Sequence, residues 1–124
     1  MDIKIKVTVL VTYQDKILLI QEFLKKRDAY FWNIIKGTYG DVENESLIEA
    51  AMREAKEEAG VEVKITGFLD CLQVQKDGET KIQFNFLGET ATDSITVASE
   101  ADQEKRSEGI LKAGWFSVEQ IEQM

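Results

Sequence analysis

The segment from Ser46 to Gly60 constrains the fold of this chain more than any other, because it predicts a helix with both ends defined. Ser46 and Glu49 have the spacing of a capping box, and Gly60 suits the left-handed position that ends a helix. Four apolar residues recur on one face and predict a buried stripe: Leu47, Ala51, Ala55 and Ala59. Because most of these side chains are small, we expect the helix to lie close against a sheet.

The same helix carries three acidic residues on one patch, since Glu54, Glu57 and Glu58 stand at i, i+3 and i+4. The three charges repel one another and crowd the helix C-terminus, where the macrodipole disfavours negative charge. Oxygen ligands and the absence of histidine from the chain favour Mg²⁺, or alternatively Mn²⁺, over zinc or copper. The competing interpretation is a solvated charged face that Arg53 and Lys56 partly neutralise.

The rest of the pattern predicts strands on both sides of this helix. Residues 3–11 alternate apolar and polar side chains, 17–20 form an apolar run, and Asp77-Gly78 joins two alternating segments as a hairpin. A further strand opens at Val61, another covers 110–116, and Ser117 caps a short terminal helix. We expect loops at 24–44 and 88–109. This order predicts an α+β fold with a mixed β-sheet, in a single domain over residues 1–124.

Charge and cysteine content exclude several classes of partner. The net charge of −8 repels nucleic acid polymers and anionic membranes, and no apolar run approaches membrane-spanning length. A lone cysteine, Cys71, cannot form an intramolecular disulfide, and the N-terminus does not resemble a signal peptide, so we expect a cytoplasmic location. Cys71 lies among Phe68, Leu69 and Leu72, and we interpret it as a core residue.

The acidic helix belongs to a longer motif with a known counterpart. Glu45, seven residues, then Arg53-Glu54-Ala55-Lys56-Glu57-Glu58-Ala59-Gly60-Val61 resembles the signature of the Nudix hydrolases, which is G, five residues, E, seven residues, R-E-U-x-E-E-x-G-U with U a bulky apolar residue. Two positions depart from it: Tyr39 replaces the first glycine and Ala55 the first apolar residue. The resemblance implies a Nudix-like α/β/α sandwich with a mixed β-sheet and a catalytic loop-helix.

The resemblance also implies an activity, the Mg²⁺-dependent hydrolysis of a phosphoanhydride bond in a nucleoside diphosphate linked to another moiety. Glu54, Glu57 and Glu58 would hold the metal, with the backbone carbonyl of Gly37 completing its shell. Arg53 would pair with Glu45 and fix the loop before the helix. The alternative for Arg53 is an exposed ion pair with a glutamate four residues away, which is Glu49 or Glu57.

The substrate-binding candidates lie before the helix: Arg27, Trp32, Lys36, Gly37 and Gly40. Arg27 belongs to a basic cluster with Lys25 and Lys26, which would face substrate phosphate or only keep a loop soluble. Phe31 and Trp32 would stack on a base or plug one end of the core. Glu100, Glu104 or Glu108 would add a further metal ligand or base.

The substrate is a small nucleotide in this interpretation, with a nucleoside triphosphate as the default. Proline or tyrosine marks that define other Nudix subgroups are missing, since the chain has no proline and no tyrosine after Tyr39. The alternative function is a catalytically silent nucleotide-sensing module of the same fold. The retained, mutually repelling carboxylates favour the enzyme. The sequence leaves open whether the protein is a monomer or a homodimer.

Overall fold

The computed structural model describes residues 2–106 and 108–124; Met1 and Ser107, which fall within the predicted 1–124 domain, lie outside the described residues. The described chain forms a 7-stranded mixed sheet with helices. Its elements in chain order are β1 (Asp2–Tyr13), β2 (Lys16–Leu24), β3 (Ala29–Asn33), β4 (Ile35–Tyr39), α1 (Leu47–Ala59), β5 (Lys64–Lys76), β6 (Glu79–Glu89), α2 (Glu100–Lys105), β7 (Ile110–Phe116) and α3 (Val118–Glu122).

Strand β1 is the centre of the sheet. The order β3-β2-β1-β6-β5 runs across it, β4 also pairs with β1, and β7 pairs with β2. The β1–β6 pairing is parallel and the other pairings are antiparallel. Val7, Val9 and Val11 on β1 are fully buried and belong to the same core as the alanines of α1. The predicted α+β fold with a mixed sheet is therefore confirmed.

No helix in the ranges 2–106 and 108–124 is long and apolar enough to cross a membrane.

Helix α1 forms as its sequence predicts. The capping box between Ser46 and Glu49 is present, and Gly60 ends the helix with a φ of 64° while its N–H bonds to backbone carbonyls of the last turn. The predicted alanine stripe is buried, with Leu47 packed at its margin. Glu54 and Glu58, however, also lie on the buried side and are only 6% and 4% exposed. The solvated-face interpretation is thus wrong for these two carboxylates.

The two predicted loops are wrong as continuous loops. Residues 24–44 contain β3 and β4, and residues 88–109 contain α2, although position 107 of that range lies outside the described residues. β3 and β4 are 5 residues each, too short to establish a clear period, and their pairing with β2 and β1 supplies the order that local pattern lacks. Helix α2 is 6 residues long and begins at the Ser99 cap.

The β5–β6 hairpin confirms the predicted turn but corrects the prediction for Cys71. Asp77 and Gly78 adopt φ angles of 53° and 76°, as a tight hairpin turn requires. Strand β5 begins at Lys64 rather than Val61, and it forms one edge of the sheet. Every residue from Phe68 to Lys76 is exposed, so Cys71 is not a core residue. Alternation of apolar residues does not distinguish a central strand from an edge strand.

Candidate active site

Three carboxylates from two parts of the chain meet at the C-terminal half of α1. Oxygen atoms of Glu54, Glu57 and Glu108 all lie within 4.8 Å of one another, an arrangement that a single metal ion could bridge. Glu108 comes from the segment that leads into β7. Of the three glutamates that the sequence left open, it is therefore Glu108 that reaches the helix, whereas Glu100 and Glu104 lie exposed on α2.

Glu58 lies deeper than this cluster. Its Oε2 accepts a hydrogen bond from the backbone N–H of Lys36 at 3.4 Å. Burial, reinforced by the charges of Glu54 and Glu108, raises the pKa of Glu58 to about 10. Burial likewise raises the pKa of Glu54 to about 7, although the neighbouring Arg53 opposes that shift. Both groups are costly to ionise where they stand unless a cation is added.

Arg53 connects the loop before α1 to the acidic cluster. Its Nε and Nη2 donate to the two carboxylate oxygens of Glu45 at 2.8 and 3.0 Å, which is a bidentate pair. Its Nη1 donates to Glu54 at 3.0 Å and to Glu57 at 3.3 Å. The structure thus contains both the brace to Glu45 and the i+4 contact with Glu57 that the sequence offered as alternatives.

Tyr39, which stands where the signature has glycine, has a bond of its own in this loop. Its hydroxyl donates to the backbone carbonyl of Glu45 at 2.8 Å. The departure from the signature therefore leaves the loop fixed at the same residue that Arg53 holds. Nothing in the local sequence indicates this bond, since the tyrosine and its acceptor lie at opposite ends of the loop.

Gly37 on β4 is required by close approach rather than by an unusual backbone angle. A Cβ atom at this position would lie 1.9 Å from Cδ of Glu54, so any side chain displaces that carboxylate. Gly40, by contrast, has a φ of 110° and open space around it. The two glycines near the signature position therefore have different roles.

Arg106 and Gln103 hold Glu108 in place, and neither was singled out from the sequence. Arg106 donates from Nε to Glu108 at 3.1 Å and from Nη2 to the backbone carbonyl of Glu57 at 3.1 Å. The buried Gln103 side chain donates to the carbonyl of Ala98 and accepts from the N–H of Ile110 at 2.7 Å. These contacts fasten the start of β7 to the end of α1.

The acidic cluster opens into a cavity of about 670 Å³ that also contains basic side chains. Among the predicted substrate-binding residues, Lys36 and Gly37 line it, and Lys6, Lys105 and Arg106 add further positive charge. A second groove of about 730 Å³, which Arg53 also lines, lacks Glu54, Glu57, Glu58 and Glu108, so the carboxylate cluster belongs to the smaller cavity.

The lysines Lys6 and Lys36 form a basic wall in a strongly acidic protein. Burial lowers the pKa of both, and the charge of Lys81 lowers each of them further. Lys6 also donates to the hydroxyl of Thr38 at 2.7 Å. Two lysines beside a cluster of carboxylates suit an anionic ligand that binds together with a metal cation.

Three other predicted substrate-binding residues are not among those that line this cavity. Trp32 packs edge-on against Phe116 at a centroid distance of 4.8 Å and is partly buried. Arg27 is exposed and stacks over Phe31 at 5.3 Å, and Gly40 is exposed after β4. The basic cluster that approaches the carboxylates is therefore formed by β1 and β4, residues that are far apart in sequence and adjacent only through strand pairing.

Comparison with known proteins identifies the family. The model of the NUDIX domain matches residues 3–124, and the chain therefore belongs to the NUDIX domain family. This confirms the resemblance to the Nudix hydrolases that the spacing from Glu45 to Val61 predicts.

Curated relatives and solved structures agree with this assignment. The chain is 33% identical over 104 residues to the 8-oxo-dGDP phosphatase NUDT18 of Danio rerio, covering 83% of this chain and 28% of that protein. It is 32% identical over 108 residues to the protein of the same name from Homo sapiens, covering 87% and 30%. The chain thus spans less than a third of the length of these relatives.

The fold is shared with bacterial and archaeal proteins. A NUDIX hydrolase from Nitrosomonas europaea superposes with a TM-score of 0.75 at 24% identity, covering 97% of this chain and 76% of that one. A MutT protein from Methanosarcina mazei gives a TM-score of 0.72 at 21% identity, covering 99% and 83%. At these identities the likeness concerns the fold.

We predict that Gly37→Ala impairs the site more than the fold. The new methyl group meets the flexible Glu54 side chain rather than backbone, so the carboxylate moves while strand β4 keeps its place. Displacing this carboxylate should weaken Mn²⁺ binding and lower turnover about tenfold or more, as isothermal titration and product assays would measure. Gly67→Ala is the matched control, because its nearest neighbour is 3.8 Å away. Unchanged Mn²⁺ affinity in Gly37→Ala would contradict the crowding argument.

Glu58→Gln should stabilise the protein when divalent cations are removed. The pKa values of about 7 and about 10 at Glu54 and Glu58 lie above the ordinary 4.5, so the folded state binds more protons than the unfolded state. Stability should therefore fall as the pH rises from 4.5 through each raised pKa. Glu58→Gln removes its part of that loss and should raise the melting temperature in EDTA at about pH 8 by about 3–6 °C. Parallel pH profiles for wild type and variant would refute the assigned burial cost.

Proposed function

We propose that this protein is a divalent-cation-dependent hydrolase that cleaves a phosphoanhydride bond of a small nucleotide. The observation that carries the proposal is the meeting of Glu54, Glu57 and Glu108 beside the Lys6–Lys36 wall in one cavity. Carboxylates and lysines in one cavity suit a cation and a phosphate chain together, whereas either group alone would suit only one of them.

The donor set fits Mg²⁺, with Mn²⁺ as a substitute. The carboxylate oxygens of Glu54, Glu57 and Glu108 are hard ligands, and the chain has no histidine for a softer site. Glu58 lies beside them and adds negative charge when ionised. A bound divalent cation supplies charge neutralisation for the phosphate oxygens and activation of the attacking water.

The remaining side chains of the cavity position the substrate and the ligands. Lys6 and Lys36 face the cavity from the sheet and would orient phosphate oxygens, since they supply positive charge at a point where the protein is otherwise acidic. Arg53 keeps Glu54 and Glu57 in place through its anchor on Glu45. Arg106 does the same for Glu108. Positioning and electrostatic stabilisation supply most of the catalysis in phosphoryl transfer. These two lysines and two arginines would therefore contribute to the rate through their positions.

A nucleoside diphosphate is the first substrate to test. The relatives at 32–33% identity are named 8-oxo-dGDP phosphatases, and a diphosphate contains the one phosphoanhydride bond that the proposed reaction needs. The missing subgroup marks in the sequence made a nucleoside triphosphate the default, so the comparison of diphosphate with triphosphate is the informative one. The purified nucleotides to assay should include 8-oxo-dGDP, dGDP and the matching triphosphates.

Activity should require both the cation and Glu57. EDTA should abolish product release, and Mg²⁺ or Mn²⁺ should restore it. Glu57→Gln removes one charge from the ligand cluster and should lower turnover about 10²–10³-fold, with a higher Mg²⁺ concentration needed for half-maximal rate. Glu62→Gln is the matched control, because Glu62 carries the same group on the exposed Lys56 ion pair outside this cavity.

Chromatography of the products across a Mg²⁺ titration would distinguish the outcomes. Turnover that persists in excess EDTA, or full activity of Glu57→Gln at limiting Mg²⁺, would contradict the mechanism. Tight binding of one nucleotide without turnover of any would instead favour the nucleotide-sensing module.

A further inference from the structure

Strand β5 presents an unusually accessible edge. Within residues 2–106 and 108–124 it pairs with β6 alone and ends the strand order of the sheet. Its outer half carries no charge between Asp70 and Lys76, and Leu72 and Val74 there are 47% and 53% exposed. Proteins usually protect such an edge with prolines, bulges or inward-pointing charges, because an open row of backbone donors and acceptors pairs readily with another strand.

The outer half of β5, from Asp70 to Lys76, also pairs with β6 without a register shift. Before it, the register of β5 against β6 shifts between Ile65 and Gly67 and again between Phe68 and Asp70. From Asp70, opposite Asn85, to Lys76, opposite Glu79, each residue then has the next partner in order. Bulges twist an edge away from further pairing, so a new strand would find a straight edge only from Asp70 onward.

We propose that β5 pairs antiparallel with β5 of a second copy of this chain, about a twofold axis at Gln73. In that register Asp70 of each copy lies opposite Lys76 of the other, and Leu72 lies opposite Val74. These four side chains share one face of the strand because they alternate along it. Along this face the two copies therefore form an ion pair at each end and two apolar pairs between them. Cross-strand pairs of both types stabilise neighbouring strands.

Charge and regularity select this register over its neighbours. An axis at Cys71, Leu72 or Val74 sets Asp70 opposite Leu72, Val74 or Gly78 and so leaves the aspartate without a charged partner. An axis at Asp70 places the two aspartates opposite each other, which is destabilising. An axis at Gly67 does pair Asp70 with Lys64, but it runs through both register shifts. On the opposite face, the Gln73 register sets Cys71 against Gln75 and Gln73 against itself, which brings no like charges together.

The proposed dimer is independent of the proposed catalytic function, because none of these β5 residues lines the carboxylate cavity. Seven residues per copy make a small interface, so we expect a concentration-dependent equilibrium between monomer and dimer rather than an obligate dimer. Sedimentation velocity over a wide range of protein concentrations should resolve both species.

Charge reversal tests the ion pairs. Lys76→Glu places two glutamates opposite two aspartates and should raise the dimer dissociation constant about tenfold or more. Asp70→Lys should do the same, and the double variant Asp70→Lys with Lys76→Glu should restore dimerisation. Asp70→Lys also removes a hydrogen bond from Asn85, so circular dichroism and thermal unfolding should accompany each variant. Lys76→Glu spares that bond but faces Glu79 within its own hairpin, so Lys76→Gln, which only removes the ion pair, is measured beside it and should also weaken the dimer.

A crosslink tests the register. Opposite Cα atoms in antiparallel strands are about 4.5–5.5 Å apart, within disulfide range. Gln73→Cys in a Cys71→Ser background should therefore form a disulfide-linked dimer under mild oxidation, whereas wild-type Cys71, opposite Gln75, should not. A protein that is monomeric at every concentration, a dimer that ignores both charge reversals, or equal crosslinking through Cys71 would overturn the proposal.

Discussion

The guanidinium group of Arg53 is the contact on which the rest of the site depends. It holds Glu45 through two hydrogen bonds and reaches Glu54 and Glu57 with its remaining nitrogen. The loop before α1 and the acidic end of α1 are thereby fixed to each other by a single planar group. Arginine suits this position because its donors diverge in one plane, whereas a lysine ammonium would supply one point charge to three carboxylates.

The burial of Glu54 and Glu58 costs folding free energy that other contacts must offset. Both carboxylates lie on the face of α1 that packs toward the sheet, and burial raises both pKa values. Gly37 makes room for Glu54, and the backbone N–H of Lys36 meets Glu58. Strand β4 therefore accommodates both carboxylates. Arg53 and Arg106 neutralise part of the negative charge of the cluster, and a divalent cation would neutralise more of it.

Local sequence predicted the parts of this structure that local interactions determine. The capping box, the alanine stripe and the Asp77-Gly78 turn each depend on residues within a few positions, and all three form as expected. The resemblance to the Nudix signature implied the contact between Arg53 and Glu45, and the structure contains it beside the alternative contact with Glu57. The same motif predicted the family, which the match of the NUDIX domain model to residues 3–124 confirms.

The errors share one physical cause, which is dependence on distant pairing. β3 and β4 are ordered by neighbours in β2 and β1, and Cys71 is exposed because both faces of β5 are exposed from Phe68 to Lys76. The sequence could not single out Glu108 from Glu100 and Glu104. The contacts that position Glu108 join Arg106 to α1 and Gln103 to the start of β7, and they exist only in the folded chain. Lys36 was predicted as a substrate-binding residue, but Lys6 was missed because it lies 30 residues away in the sequence and approaches Lys36 only through the pairing of β1 with β4.

The most direct test of the central claim is to locate a bound cation. Crystals soaked in Mn²⁺ would be measured on both sides of the manganese absorption edge, and the anomalous difference map would show where the ion lies. A peak is expected in contact with the carboxylates of Glu54, Glu57 and Glu108, and it should be lost in Glu108→Gln. A strong peak elsewhere on the protein with none at these three carboxylates would contradict it.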